Sequence, residues 1–342
     1  MKDFDYIQPA DAKAATEALG AGAWTAERAR AFAGGQDLYG EMKTGIVAPA
    51  ALVNLKAFAD GTEGEVKAFR DGNYKLGALV RLSQLAALVG DGPTETMLRE
   101  AAETIASPQI RSRATLGGNL CQRPRCLYYR RPEIICLKKG GDECFAYGGN
   151  NKYNAILGGG PSFIVHPSDM APALIALDAR VSITTPSGES EMALEDFYTL
   201  PSEGDVTREN VLGPQDVVTH ISTQLPSGPG RWATTYVKFQ EREGFDFALS
   251  AVALSLHFDE ANERVIAARL VLGGVAPRPW RTPRAEAALV GVKRGDKAGF
   301  EALSLRVAEA ALEGAEPLEH NAYKIPLTKG LVRRALSHLL LS

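Results

Sequence analysis

The four cysteines of this chain, Cys121, Cys126, Cys136 and Cys144, fall within 24 of its 342 residues, in the pattern C-x4-C-x9-C-x7-C. Random scatter would not confine every cysteine to one segment, so the four read as a unit. Structural zinc pairs its thiolates in C-x2–4-C knuckles, and only Cys121 and Cys126 come near that spacing. Disulfides need an oxidising compartment. The amino terminus, Met1-Lys-Asp-Phe-Asp-Tyr-Ile-Gln-Pro, has neither an apolar signal core nor twin arginines. Four thiolates on one irregular loop suit a [4Fe–4S] cluster, whose cubane takes four sulfur ligands. Six basic residues lie between the cysteines: Arg123, Arg125, Arg130, Arg131, Lys138 and Lys139. Their charge could offset that of a thiolate-ligated cluster.

Two glycine pairs offer a second kind of chemistry. One is Ala33-Gly34-Gly35-Gln36-Asp37-Leu38, placed after a strand-like run and opening a helix-like one. The other is Thr115-Leu116-Gly117-Gly118-Asn119-Leu120. Glycine lets backbone N–H groups come close to an anion, and a helix start adds favourable partial charge, so each segment could cradle a diphosphate. Thr115 and Asn119 could add side-chain donors. Taken singly, each pair reads equally well as a tight turn. No G-x-G-x-x-G stands between a strand and a helix, which argues against a Rossmann nucleotide site.

The elements that must position these residues follow from hydrophobic periodicity. Residues 9–19 are alanine-rich with helical spacing and stop at Gly20; residues 30–33 and 51–55 read as strands, with a short helix over 37–43 between them. This predicts a small strand–helix–strand unit of about 55 residues with a glycine turn at its centre. Further on, residues 74–80 are strand-like, Ser83 is placed to cap a helix running to Leu88, and 96–105 read as a second helix. A loop and turn over 107–120 lead into the cysteine segment. A helix over 170–177 and a strand over 181–185 follow it. Pro226-Ser-Gly-Pro-Gly is the best linker in the chain. After it, strand patterns over 232–239, 248–258 and 264–272 precede helical patterns over 284–289, 300–312 and 329–341, an α+β arrangement.

Composition narrows the function classes. With 45% hydrophobic and 23% charged residues the chain has enough apolar surface to fold as a globule. A net charge of -3 gives no electrostatic case for binding nucleic acid. No apolar run approaches the length of a membrane span, so no insertion into a membrane is expected.

The order and wording of the segments then resemble one family. Ala33-Gly-Gly-Gln-Asp-Leu, Ser107-Pro-Gln-Ile-Arg and Ala114-Thr-Leu-Gly-Gly-Asn-Leu are followed by His166-Pro-Ser-Asp-Met-Ala-Pro-Ala-Leu and Tyr236-Val-Lys-Phe-Gln-Glu-Arg. Asp246-Phe-Ala, Leu272-Gly-Gly-Val-Ala-Pro and Asn321-Ala-Tyr-Lys come after them. Together they resemble the FAD-binding medium subunits of molybdenum hydroxylases, which include xanthine, aldehyde and carbon monoxide dehydrogenases. The likeness spans residues 4–337. The loop Asn119-Leu-Cys-Gln-Arg-Pro-Arg-Cys, with Cys136-Leu-Lys-Lys-Gly-Gly-Asp-Glu-Cys, is similar to that of two iron–sulfur-containing subgroups, the periplasmic aldehyde oxidoreductase and the 4-hydroxybenzoyl-CoA reductase flavin subunits, and the Gln122-Arg-Pro-Arg-Cys wording favours the aldehyde group.

The resemblance implies a vanillyl-alcohol-oxidase-type FAD-binding fold of two α+β subdomains, residues 1–58 and 59–226, with an iron–sulfur insertion over 121–155. A separate α+β domain over 227–342, with an antiparallel sheet and helices, would follow. It implies that Phe32, Ala33, Gly34, Gly35, Gln36, Asp37 and Leu38, with Thr115, Gly117, Gly118 and Asn119, line the pyrophosphate. Asp169 would bond the ribityl or ribose region. Lys238 would lie near the isoalloxazine, where a cation stabilises reduced flavin. Ile105 and Val218 would be apolar contacts. Ser112 stands where the family often has asparagine. Cys121, Cys126, Cys136 and Cys144 would hold the [4Fe–4S] cluster.

Function follows as an expectation: electrons pass from [2Fe–2S] centres on a small partner chain to FAD, and on to an external acceptor. Substrate would be oxidised on a molybdopterin-binding large subunit. Cytoplasmic residence is expected, or periplasmic residence by export alongside a signal-bearing partner. Two rival readings are a stand-alone FAD oxidase of the same fold superfamily and a zinc-stabilised binding module.

Overall fold

A computed structural model describes residues 1–69, 71–226, 228–242 and 244–341. Ser227, inside the linker read from the sequence, lies outside the described residues.

The first unit runs β1 (Asp5–Ile7), α1 (Ala12–Leu19), β2 (Arg30–Phe32), α2 (Leu38–Thr44) and β3 (Ala51–Asn54). Its three strands make a parallel sheet in the order β1-β3-β2. Asp11 starts α1 by accepting the Ala14 N–H at 2.8 Å, and Gly20 ends it at φ 69. Parallel pairing needs crossovers, and α1 and α2 supply them. This is the predicted strand–helix–strand unit.

The second unit contains β4 (Val66–Ala68), β5 (Tyr74–Gly77), α3 (Leu82–Ala86), α4 (Pro93–Glu103), α5 (Pro108–Arg111), α6 (Leu116–Leu120) and α7 (Met170–Ala176). It is completed by β6 (Arg180–Thr185), β7 (Gly188–Ala193) and β8 (Val217–Ser222). The strands form an antiparallel sheet ordered β4-β5-β8-β6-β7. Leu76, Leu82, Met97, Leu98, Leu116, Leu174, Val181 and Ile221 pack as one core beneath it.

Three local readings are corrected. The cap of α3 is Arg81, whose N–H donates to the Gln84 side chain at 2.9 Å, so Ser83 lies inside the helix. α4 begins at Pro93, which fits a first turn where no N–H partner is available. The expected loop over 107–120 holds two single-turn helices, α5 and α6, each started by a side-chain cap from Ser107 or Thr115.

The third unit has β9 (Arg231–Phe239), β10 (Ser250–Phe258), β11 (Val265–Gly273) and β12 (Trp280–Arg281), then α8 (Pro283–Leu289), α9 (Phe300–Ala311) and α10 (Lys324–Leu340). The sheet is antiparallel, ordered β12-β11-β10-β9. Side chains alternate faces along β10. Ala251 and Ala253 face the core of the second unit, whereas Val252, Leu254, Leu256 and Phe258 face α8, α9 and α10. A strand buried on both faces explains why this stretch is nearly continuous in apolar residues. α10 starts at Lys324, ahead of the expected 329, and the reason lies in the motif Asn321-Ala-Tyr-Lys described below.

Candidate functional site

β2 leads its last residue, Phe32, into the first glycine turn. A Cβ on Gly34 would stand 2.3 Å from the Arg113 carbonyl oxygen, so this turn meets the second glycine segment with bare backbone. Gly35 adopts φ +73, which L side chains rarely take. In the second segment, the Thr115 hydroxyl accepts the Gly118 N–H at 3.3 Å and fixes the first turn of α6. Gly117 donates to the Ala78 carbonyl at 2.8 Å, which seats α6 against the end of β5. A Cβ on Gly118 would meet only the Thr115 hydroxyl, at 2.9 Å. The first glycine turn thus packs against the backbone that leads into the second.

Both open on one cavity of about 960 Å³. That is near the upper end for small-molecule sites, roughly 300–1,000 Å³, and suits an extended dinucleotide. Phe32, Ala33, Gly34, Gly35, Gln36, Asp37, Leu38, Ile105, Thr115, Gly117, Gly118, Asn119, Asp169, Val218 and Lys238 all line it. Ser112 does not, and its hydroxyl donates to the Gln109 carbonyl at 2.7 Å. The walls also include Trp24, Arg30, Leu79, Arg208 and Leu212, none of which the motifs marked, and Phe247 from the Asp246-Phe-Ala motif. Arg30 opens β2, and the spacing of these residues in the sequence carries no signal that would join them.

Lys238 and Asp169 do not act as isolated polar groups. The Lys238 ammonium lies 2.9 Å from Asp169 Oδ2 and also donates to the Thr104 carbonyl at 2.9 Å. The Tyr236 hydroxyl donates to Asp169 Oδ1 at 2.7 Å. Both partners of the ion pair are buried. The lysine charge therefore reaches the cavity already shared with a carboxylate. Asn119 accepts the Ser168 hydroxyl at 2.6 Å, which ties α6 to the start of α7.

Asp37 is taken up by the cysteine segment. Its Oδ1 holds Arg125 at 2.5 Å and Arg130 at 2.7 Å, and its Oδ2 accepts the Arg123 N–H at 2.6 Å. Burial raises the Asp37 carboxyl, but Arg125 and Arg130 outweigh it and hold the group below the usual carboxylate range. Glu41, one turn on, accepts the Tyr129 hydroxyl at 2.5 Å, and burial leaves its carboxyl above the usual range. Glu209 completes the pattern, with Arg123 at 2.7 Å and Lys138 at 2.9 Å. Burial opposes its ionisation, yet Arg123 and Lys138 prevail and its carboxyl lies low.

These pairings revise the expected role of the basic residues in the cysteine segment. Arg123, Arg125, Arg130 and Lys138 spend their charge on Asp37, Glu41 and Glu209 and anchor the segment to the first two units. The far end is held by the third unit. Asn321 Nδ2 donates to the Asn154 and Ala155 carbonyls, and Lys324 Nζ to those of Tyr153 and Gly274, at 2.8–3.1 Å. Because its first residues are fastened this way, α10 begins at Lys324.

The four thiols are not gathered into one site. Among the described residues, no group of three or more His, Cys, Asp or Glu side chains is arranged to hold a metal ion. Cys121 ends α6, opens on the large cavity and packs against the core of the second unit; burial pushes its thiol up to about 12. The Cys126 sulfur accepts Asn154 Nδ2 at 3.7 Å, and Cys136 is buried near Cys126. Cys121 takes its position from the glycine helix before it, at the end of α6.

Residues 2–226 match the family described as FAD binding domain in molybdopterin dehydrogenase, and residues 235–339 match CO dehydrogenase flavoprotein C-terminal domain. The aldehyde oxidoreductase FAD-binding subunit PaoB of Escherichia coli K12 is 32% identical, over 90% of this chain and 91% of its own length. The carbon monoxide dehydrogenase medium chain of Afipia carboxidovorans is 27% identical, over 97% of this chain and 95% of its own. Among solved structures, carbon monoxide dehydrogenase from Hydrogenophaga pseudoflava superimposes with a TM-score of 0.71 at 23% identity, covering 98% of this chain and 96% of that one. Quinoline 2-oxidoreductase from Pseudomonas putida 86 gives 0.70 at 22% identity, covering 99% and 98%. Bare backbone at Gly34 and Gly118, a cavity of dinucleotide size and a buried lysine–aspartate pair on its wall all agree with the sequence match, and the chain belongs to the FAD-binding subunits of the molybdenum hydroxylases.

Proposed function

We propose that this chain is the electron-relaying subunit of an aldehyde-oxidising molybdenum enzyme. It would take electrons from [2Fe–2S] centres on a small chain, themselves reduced by a molybdopterin-binding large subunit, and deliver them to an external acceptor. FAD suits that place because it converts between one-electron and two-electron carriers. The observation that carries the reading is the meeting of the two glycine turns on one cavity. The turns and the Gln36 and Leu38 backbone would hold the diphosphate. Lys238 and Asp169 would bond the polar groups nearer the flavin, with Ile105 and Val218 as apolar contacts. On this reading residues 1–226 form the flavin-binding part and residues 227–342 a second domain. The likeness to the Escherichia coli aldehyde oxidoreductase subunit favours an aldehyde as the substrate of the complex.

The proposal includes a [4Fe–4S] cluster in the cysteine segment, supported by donor chemistry: four free cysteines within 24 residues. Cys121, Cys126, Cys136 and Cys144 would supply its four thiolates. Purification of the native complex should recover a molybdopterin chain and a [2Fe–2S] chain with this one. Iron analysis of the chain isolated without air should find about four irons, lost in Cys136→Ser and Cys144→Ser. Aldehyde turnover by this chain alone would defeat the relay reading, and an iron-free chain would defeat the cluster.

A further inference from the structure

The cysteine segment closes one side of the large cavity with a wall a single side chain thick. Pro132 and Ile135 line the cavity and yet are exposed to solvent, and so are Phe245 and Phe247 from the third unit. Arg125 stands between the two groups. Its Nη1 lies 2.5 Å from Asp37 at the end of the first glycine turn, and its guanidinium lies 4.9 Å from the centre of the Phe247 ring. One side chain of the segment thus joins the first unit to the third along the exposed wall. Phe247 is 45% exposed and the Arg125 side chain 29%, so the contact sits at the surface.

The two ends of the segment are fastened more firmly than this span. Arg123 is held by the buried Glu209 carboxylate at the start, and the Asn321 and Lys324 clasp holds the carbonyls of Tyr153, Asn154 and Ala155 at the finish. Between them Arg131, Pro132, Glu133 and Ile135 are exposed. A cation over an exposed ring is among the weaker side-chain contacts. Asp37, for its part, does not depend on Arg125 alone, since Arg130 at 2.7 Å and the Arg123 N–H also hold it. The arrangement is that of a strap, with fixed ends and a middle free to lift.

We propose that the cysteine segment is a strap over the mouth of the cavity, latched by Arg125 onto Asp37 and Phe247, and that its lifting sets how fast flavin enters and leaves. This rests on the reading of the cavity as the FAD site and adds how that site opens. The latch contacts are all protein to protein, so the strap lifts before entry as well as before exit. A latch of this kind changes both rates by one factor and leaves affinity as it was. A residue that binds flavin directly changes affinity instead.

The test follows FAD fluorescence in the full chain: entry by stopped flow with the flavin-free protein, release into an excess of a flavin-scavenging apoprotein. Arg125→Met and Phe247→Ala should each speed entry and release together by roughly tenfold, with Kd unchanged to within about threefold. Phe247 is half exposed, so its variant keeps the test open if the arginine variant does not fold. Faster release with unchanged entry would make the two residues flavin contacts and overturn the latch, and unchanged rates in both variants would overturn it as well. Trypsin provides a second reading, because cleavage after the exposed Arg131 should quicken in both variants. Cleavage at the wild-type rate would show that the strap does not lift more readily and would likewise overturn the latch. A wild-type chain that binds no FAD would overturn the FAD reading itself, a result distinct from all of these.

Discussion

The glycine cradle and the cysteine segment border the same cavity, yet they are built on opposite principles. The cradle is backbone against backbone: Gly34 against the Arg113 carbonyl, Gly117 against Ala78. Its shape is set where another stretch of backbone closes on each glycine. The cysteine segment contains one single-turn 3-10 helix, Leu137–Lys139, and is otherwise irregular. Its order comes from side chains reaching Asp37, Glu41 and Glu209 at one end and the carbonyl clasps of Asn321 and Lys324 at the other. The first kind of site leaves no room for a Cβ at Gly34 or Gly117. The second is assembled from afar and depends on buried charge, so the two should fail differently.

The largest effect is expected on the charged side. Glu209→Gln leaves Arg123 and Lys138 buried without their carboxylate, and breaking a buried pair costs about 3–5 kcal/mol. The pH dependence has a definite sign. The folded carboxyl titrates below its ordinary value of 4.5, so its stabilisation is full above that pH and is lost as pH falls through the folded value. Acid unfolding of the wild type should show this loss, and the variant should lack it. Equal acid profiles would remove Glu209 as the anchor.

Next comes Gly34→Val, which drives a side chain into backbone and should cost about 1–3 kcal/mol or more, together with flavin retention. Thermal unfolding and flavin absorbance read both effects. Lys324 sharpens the contrast at the far end of the segment. Burial pushes its ammonium down to about 7, and its partners are two carbonyls. A lysine depressed on folding makes stability rise with pH between the folded value and its ordinary 10.5. Denaturant midpoints measured from pH 7 to 10 should climb in the wild type and stay flat in Lys324→Met.

Gly118→Ala should have the smallest effect on folding, under about 1 kcal/mol, since the new methyl meets only the Thr115 hydroxyl. It should nevertheless weaken FAD roughly tenfold, about 1.4 kcal/mol, by occupying the cradle. Unchanged flavin affinity would show that the diphosphate does not rest on Gly118.

This contrast also explains what was legible in the sequence. The glycine pairs, α1 with its Gly20 stop, and the strands of the third unit announce themselves through local spacing, and the structure has them there. Ser83 misled because a serine near a helix start is a common cap, whereas Gln84 reaching back to the Arg81 N–H leaves no distinctive residue at the cap itself. The cysteine spacing suggested one ligand set, but spacing says nothing of where the chain path between ligands is pinned. The carboxylates that pin it, Asp37, Glu41 and Glu209, stand more than 60 residues away on either side. Trp24 and Arg208 escaped notice for the same reason, being neighbours only in the fold.

The Asn321 and Lys324 clasp has a consequence for how the protein is made. The carbonyls of Tyr153, Asn154 and Ala155 receive their donors from residues 166–171 positions later. During synthesis the cysteine segment therefore emerges long before the helix that fastens it. Until the last few dozen residues leave the ribosome, this stretch of backbone must stay wet and open to proteases. A chain cut short before Asn321 would still contain both glycine pairs and every cysteine, yet it would leave that door permanently ajar.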